Sequence, residues 1–118
     1  MTTERLVEVF RALADPTRLA ILQLLQRRDG TRCGPVQVGE RGLCVCDVED
    51  AVGLSQAAVS HHIGILKRAG LISSQKRGRW MFYRRNEDAI EAVAAAVVKQ
   101  VEAPKDSGQR VRRRASGG

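Results

Sequence analysis

The chain has 118 residues, enough for one domain with a tail, and because only 3% of them are aromatic its core must be mainly aliphatic. A net charge of +7 and a pI near 10.2 are typical of a domain that binds a polyanion, most often nucleic acid. No apolar run approaches the roughly 20 residues of a membrane span, which excludes an integral membrane protein.

Two helices are predicted at the start of the chain. Residues 4–14 form an amphipathic pattern, with apolar side chains at helical spacing at Leu6, Val7, Phe10, Leu13 and Ala14. Asp15 and Pro16 then suit the N-cap and the first position of a second helix, which ends near Gln26. This second helix is predicted to bury its apolar residues, namely Leu19, Ile21, Leu22, Leu24 and Leu25.

A loop and a short helix come next. Residues 27–42 contain four glycines and a proline, which predicts a loop, and this loop carries Cys33. The segment after it, Leu43-Cys44-Val45-Cys46, ends at Asp47, whose side chain suits an N-cap. A third helix is therefore expected over residues 48–52, and Gly53 ends it.

A fourth helix and a hairpin follow. Ser55 is the predicted N-cap of a helix from Gln56 to Ala69, which Gly70 ends. Its buried side is predicted to consist of Ala58, Val59, Ile63 and Leu66. Two strands are expected near 71–76 and 79–84, joined by a tight turn at Arg77-Gly78.

The last predicted helix, residues 87–101 with Asn86 as N-cap, is apolar on most of its faces. One helix face can pack on a small domain of its own chain, so a helix this apolar must be covered on a second side. We expect a second copy of the chain there, and hence a homodimer.

Residues 103–118 are rich in glycine, serine and arginine and carry +4 of the net charge. We expect this segment to be a disordered basic tail beyond a folded domain at residues 1–102. The tail either makes loose contacts with phosphates or is a solvated end without a specific role.

The order of these elements predicts a mainly α fold, a winged helix-turn-helix with a two-stranded β-hairpin wing and with N- and C-terminal dimerisation helices. In such a fold the helix over 56–69 enters the major groove of double-stranded operator DNA. The candidate DNA-binding residues are Gln56, Ala57, Ser60, His61 and Lys67 on this helix and the wing residues Arg77 and Arg79, with Lys76, Arg84 and Arg85 as further wing cations. His61 and His62 point about 100° apart on a helix, so they cannot both face the groove.

Three cysteines, Cys33, Cys44 and Cys46, are the candidate metal ligands. The chain begins without a signal-peptide pattern, so we expect a cytoplasmic protein with reduced thiols, and an odd number of thiols indicates ligands or reactive sulfur. Cys44 and Cys46 can bind one soft ion together only if their segment is extended or lies in a distorted first helical turn. The alternative is that they are small apolar residues at a helix start.

Three stretches resemble the ArsR/SmtB family: ALADPTRLAIL at 12–22, LCVCDV at 43–48 and LSQAAVSHHIGILKRAGLI at 54–72. The resemblance covers about residues 4–101. It implies a homodimeric bacterial repressor that leaves its operator when a metal or metalloid binds. The sequence has no phosphate-binding glycine loop, no nucleophile elbow and no carboxylate pair placed for acid–base chemistry, so we expect no enzymatic activity. The LCVCD segment is similar to the branch that senses arsenite and antimonite and, in some members, cadmium and lead.

The chain departs from that branch at one position. Where founding arsenite sensors have a third cysteine, three residues after the second, this chain has Glu49, and Cys33 is the other thiol that it offers. We therefore expect As(III) or Sb(III) as the inducer, with Cys33 as the third ligand, or an organoarsenical that needs two sulfurs. A cadmium- or lead-type metal sensor, a thiol-based redox switch and a constitutive DNA-binding protein are the alternatives.

Overall fold

The computed structural model describes residues 1–27 and 43–102, which form five helices and one three-stranded sheet. In chain order the elements are α1 (Thr3–Leu13), α2 (Pro16–Arg27), β1 (Leu43–Cys44), α3 (Val45–Val52), α4 (Gln56–Arg68), β2 (Ile72–Arg77), β3 (Trp80–Arg85) and α5 (Glu87–Val101). The predicted loop with Cys33 and the predicted tail at 103–118 lie outside the described residues, apart from Arg27 at the end of α2.

The helix starts follow local capping chemistry. The Asp15 carboxylate accepts a hydrogen bond from the Arg18 N–H at 3.1 Å, which confirms Asp15 as the N-cap of α2. Ser55 accepts from the Ala58 N–H and Asn86 from the Ala89 N–H, both at 3.2 Å, at the starts of α4 and α5. Gly53, at φ +72°, ends α3 in the left-handed conformation that glycine adopts without strain.

The core is aliphatic, as the composition predicts, and lies where α1 to α4 and the sheet meet. Its fully buried side chains are Val9, Ile21, Leu43, Val48, Val59, Leu66 and Leu71. The prediction that α2 buries Leu19 is wrong, because this side chain is 43% exposed while Ile21, Leu22, Leu24 and Leu25 are buried. In α1 the buried residues are Leu6, Val9 and Ala12, and the apolar Val7 and Phe10 stay exposed. On α4 Val59, Ile63 and Leu66 are buried as predicted, whereas Ala58 is half-buried.

The start of α3 differs from the prediction. The helix begins at Val45, three residues earlier than expected, and Cys44 is its N-cap in extended backbone, with φ −84° and ψ 170°. Asp47 is the third helical residue, and its carboxylate accepts a hydrogen bond from the Cys44 N–H at 3.1 Å. Aspartate is favoured both at the N-cap and at the third helical position, because from either position its carboxylate can accept a hydrogen bond from a free backbone N–H.

The sheet has the order β1-β3-β2 and is antiparallel throughout. The hairpin of β2 and β3 is the predicted wing, although its turn lies at Gly78-Arg79, one residue later than expected, with Gly78 at φ +61°. Strand β1 was not predicted: Leu43 pairs with Tyr83 and Cys44 with Phe82, which attaches the cysteine segment to the wing. These elements form the winged helix-turn-helix that the sequence predicts.

Helix α5 has the predicted bounds and covers the domain with only part of its surface. Val93 and Ala96 are buried, whereas Val98 is 57% exposed and Val101 66% exposed. Among the described residues, no helix has the length and apolar character that crossing a membrane requires.

Candidate functional site

The sulfur atoms of Cys44 and Cys46 meet at the junction of β1 and α3. The structure pairs them as a disulfide, with the two Cα atoms 5.5 Å apart. Cys44 lies in extended backbone and Cys46 in the first turn of α3, which is the arrangement that two ligands at i and i+2 need. The third predicted ligand, Cys33, lies outside the described residues.

Asp47 completes a cluster of three donors with the two cysteines. A carboxylate oxygen of Asp47 and the sulfurs of Cys44 and Cys46 all lie within 4.8 Å of one another. Asp47 is only 1% exposed, and its hydrogen bond from the Cys44 N–H ties the carboxylate to the backbone that carries the first sulfur. Asp47 lies outside the ligand set predicted from the sequence, which is Cys33, Cys44 and Cys46.

This cluster is connected to both parts of the protein that face DNA in a winged helix. Through β1 it is paired to β3 of the wing, where Cys44 is opposite Phe82. Through α3 it adjoins α4, because the two helices pack against each other. Tyr83, opposite Leu43, is half-buried, and this burial raises the pKa of its hydroxyl above 10.0.

All the candidate DNA-binding residues of α4 are exposed, namely Gln56, Ala57, Ser60, His61 and Lys67. They leave Val59, Ile63 and Leu66 on the opposite, buried side of the helix. His62 is turned toward the protein, with its side chain 18% exposed, so the two histidines face different surroundings.

The wing cations do not form one uniform group. Arg79 is exposed at the hairpin turn, and its guanidinium lies 5.3 Å from the centre of the Trp80 ring. Arg77 is half-buried and donates to the Gln75 side chain at 3.0 Å. Arg85 is half-buried, binds Glu87 at 2.8 Å and donates to the Leu22 carbonyl at 3.2 Å, which anchors β3 to α2.

Comparison with known proteins places this geometry in a family. Residues 37–74 match the family model described as "Bacterial regulatory protein, arsR family". The chain is also 36% identical over 94 residues to the arsenical resistance operon repressor of Escherichia coli, which covers 80% of this chain and 69% of that protein. The chain belongs to the arsR family of bacterial regulatory proteins.

Two further proteins match most of the chain. An HTH-type transcriptional regulator of Methanocaldococcus jannaschii, MJ1325, is 35% identical over 94 residues, covering 80% of this chain and 92% of that protein. The homodimeric winged helix-turn-helix DNA-binding domain Mb0332 from Mycobacterium bovis has a solution structure with a TM-score of 0.61 and 26% identity, covering 81% of this chain and 78% of that one. The chain is therefore a transcriptional regulator with a DNA-binding winged helix, and the segment matched by the family model includes the cysteine pair, Asp47 and all of α4.

Proposed function

We propose that this ArsR-family regulator is a homodimeric repressor that binds operator DNA and is released when trivalent arsenic or antimony binds its cysteine thiolates. The observation that carries the proposal is the contact between the sulfurs of Cys44 and Cys46 at the junction of α3 with β1, the strand that pairs with the wing. The names of two relatives support it, the E. coli arsenical resistance operon repressor and the arsenic resistance regulator ArsR1 of Pseudomonas putida.

The donor set suits a thiophilic element. Trivalent arsenic and antimony bind three thiolates in a pyramid, and soft ions select sulfur over imidazole or carboxylate. Two sulfurs are already together, which lowers the entropy cost of recruiting them. We propose Cys33 as the third ligand, since the cost of closing its loop of 11 residues onto Cys44 grows only as about (3/2)RT ln n.

The cysteine site is attached to the DNA-binding elements, so binding there can alter both. Ligand binding that moves Cys44 acts on β3 through the Leu43–Tyr83 and Cys44–Phe82 pairs. Ligand binding that distorts the first turn of α3 acts on the packing between α3 and α4. Release from DNA requires that the ligand favour the non-binding conformation by about 1–3 kcal/mol of coupling free energy or more.

On DNA, α4 of each subunit is proposed to read one half-site of a pseudo-palindromic operator. Gln56 and Ser60 can bond base edges, Ala57 permits close approach, and Lys67, Arg77 and Arg79 hold phosphates. The α4 helices of the two subunits would lie about 34–36 Å apart, which is one turn of the duplex. The homodimeric state of the M. bovis domain supports the dimer.

A thiol-based redox repressor is the second candidate function. The pairing of Cys44 and Cys46 as a disulfide favours it, because oxidation of the two thiols would affect β3 and α4, the same elements that ligand binding would affect. A cadmium- or lead-type sensor is the third, and the carboxylate of Asp47 beside the two sulfurs favours a divalent cation in that case.

Titration of the protein–operator complex with separate inducers tests the proposal. Under anaerobic reduction, arsenite or antimonite should release the protein from DNA, and a chelating dithiol should restore binding. Release by peroxide without a response to arsenite would instead establish the redox function. Release by cadmium or lead alone would establish the divalent-metal sensor.

Replacing Gln56 or Ser60 with alanine tests α4 as the DNA reader. Each substitution is expected to weaken operator binding by about tenfold, since a good base-edge contact contributes about 1–3 kcal/mol of discrimination. Binding to random-sequence DNA should change little, because phosphate contacts carry no sequence information. Fluorescence anisotropy with both duplexes measures the two affinities, and equal losses on both would count against α4 as the reader.

A further inference from the structure

Among the charged and titratable residues of α4, His62 is the one whose side chain is turned toward the protein. Its neighbours on the helix, His61, Lys67 and Arg68, are exposed. The His62 side chain is 18% exposed and faces the corner where α1 ends and α2 begins. A polar ring held there against other helices has a specific partner rather than water alone.

That partner is Arg18, which joins three helices. Its guanidinium hydrogen-bonds His62 Nδ1 at 3.1 Å and donates from Nε to the Ala12 carbonyl at 2.5 Å and from NH2 to the Arg11 carbonyl at 3.3 Å. Both carbonyls belong to the last turn of α1, and the Arg11 carbonyl also accepts from the Ala14 N–H at 3.4 Å. One side chain of α2 therefore connects the end of α1 to the middle of α4.

The contact gives the ring a defined partner. A guanidinium is only a donor, so His62 Nδ1 accepts the hydrogen bond from Arg18. Asp15 lies on the other side, with a carboxylate oxygen 4.0 Å from the same Nδ1. The ring is thus held between a cation of α2 and the carboxylate that caps the same helix.

The surroundings of Asp15 favour its ionised form. The hydrogen bond from the Arg18 backbone N–H lowers the pKa of Asp15 below 3.8, burial opposes this shift, and the charges of Arg18 and His62 lower the pKa further. Arg18 and Asp15, both at the α1–α2 corner, are thus the groups that face His62 from outside α4, and His61 is its ring neighbour, with ring centroids 5.5 Å apart. Glu8 and Arg11 of α1 and Arg68 of α4 line the cleft that adjoins Arg18.

We propose that Arg18 and His62 are positioning residues for DNA recognition, which hold α4 at the orientation that presents Gln56 and Ser60 to the operator. The proposal rests on the proposed role of α4 as the reader. A second arginine holds the other end of the helix, because Arg5 donates to the Ala69 carbonyl at 2.6 Å. The two contacts together fix α4 along its length relative to α1 and α2.

Loss of the Arg18–His62 contact should weaken operator binding. The base-edge contacts proposed for Gln56 and Ser60 depend on the orientation of α4, so operator affinity should fall when that orientation is no longer held. Binding to random DNA should change little, because it depends on phosphate contacts and not on the orientation of α4.

Variants of His62 test the proposal. His62→Asn keeps an acceptor near the Nδ1 position, whereas His62→Leu removes the acceptor. Glu91→Gln, at an exposed position of α5, is the control. The probes are a duplex selected from random-sequence DNA by the wild-type protein and an unselected duplex, at constant pH and ionic strength.

The His62→Asn variant should bind the operator within about twofold of wild type and His62→Leu about tenfold more weakly, as expected for a lost bond to a charged group. Both variants and Glu91→Gln should bind the unselected duplex as the wild type does. Operator binding by His62→Asn as weak as that of His62→Leu would overturn the proposal. So would wild-type affinity for a folded His62→Leu.

Two further measurements keep the outcomes distinct. Circular dichroism shows whether each variant is folded, and if His62→Leu is not, Arg18→Lys decides, because lysine keeps the charge but cannot bond His62 and both α1 carbonyls at once and should also bind the operator about tenfold more weakly. Gln56→Ala and Ser60→Ala are measured in parallel. If both retain the operator preference, α4 is not the reader and the proposed function fails; if they lose it while the His62 variants behave as wild type, only the positioning role fails.

Discussion

A Cys44→Ser variant is expected to bind the operator as tightly as the wild type and to remain bound when arsenite is added. Serine has nearly the shape of cysteine and can occupy the N-cap of α3, so the fold and the DNA surface should persist. A hydroxyl is a hard donor and does not replace a thiolate toward a soft element. Cys46→Ser should have the same effect, because one remaining sulfur at this junction cannot hold the inducer.

The response is measured as the arsenite concentration that releases half of the bound operator under anaerobic reduction. We expect this concentration to rise at least about a hundredfold in both variants, since each lost ligand is worth several kcal/mol of binding. Glu49→Ser provides a control, because it changes a nearby half-buried residue outside the donor cluster. A normal arsenite response in either cysteine variant would rule out the pair as the inducer site.

Cys33→Ser separates a site of three sulfurs from a site of two. If Cys33 supplies the third thiolate, its variant should keep operator affinity and lose most of its response to arsenite. If Cys33→Ser responds normally, two protein sulfurs are sufficient, and a small-molecule thiol or a monoalkylated arsenical completes the site. The ratio of the responses to arsenite and to a monoalkyl arsenical distinguishes these two outcomes.

The sequence predicted the elements whose signals are local. Asp15, Ser55 and Asn86 begin helices because their side chains bond the free N–H groups of the first turn. Such contacts join residues three positions apart, so a short stretch of sequence contains both partners. The same holds for the hairpin, whose turn needs a glycine such as Gly78.

The features that were missed depend on partners far away in the chain. Strand β1 has two residues, too few for a periodic pattern, and exists because Cys44 pairs with Phe82. Aspartate is favoured at both the N-cap and the third helical position, so Asp47 alone could not locate the start of α3. The difference of three residues matters for function, because it places Cys46 in the first turn, beside Cys44.

The exposed apolar residues also could not be assigned from the sequence. A helical pattern shows which residues are apolar, but not whether they pack on the same chain or on a second chain. Val7 and Phe10 of α1 and Val98 and Val101 of α5 remain exposed, and the two helices pack on each other. Their neighbourhood includes a groove of about 370 Å³ lined by Met1 and by alanines of α5. A second copy of the chain is the occupant that the proposed function requires.

Phe10→Glu and Val98→Glu should therefore each convert the dimer to a monomer without unfolding it. Their side chains are 42% and 57% exposed within one chain, so a glutamate there is solvated in the monomer. In a two-fold dimer each substitution occurs twice, and each copy places an unpaired charge in the interface at a cost of several kcal/mol. The dissociation constant of the dimer should rise at least about a hundredfold, and operator affinity should fall with it because a monomer engages one half-site.

Sedimentation equilibrium measures the dimer, and anisotropy with the operator duplex measures the consequence for binding. Glu91→Gln, at an exposed position of α5 that is already polar, is the matched control and should leave both values unchanged. If both glutamate variants remain dimers, the interface lies elsewhere on the molecule. If they are monomers with unchanged operator affinity, one copy of α4 is sufficient for binding and the two half-site geometry is wrong. In the proposed mechanism the cysteine pair acts on β3 and α4 of its own subunit, so a monomer that retains weak operator binding should still release it with arsenite.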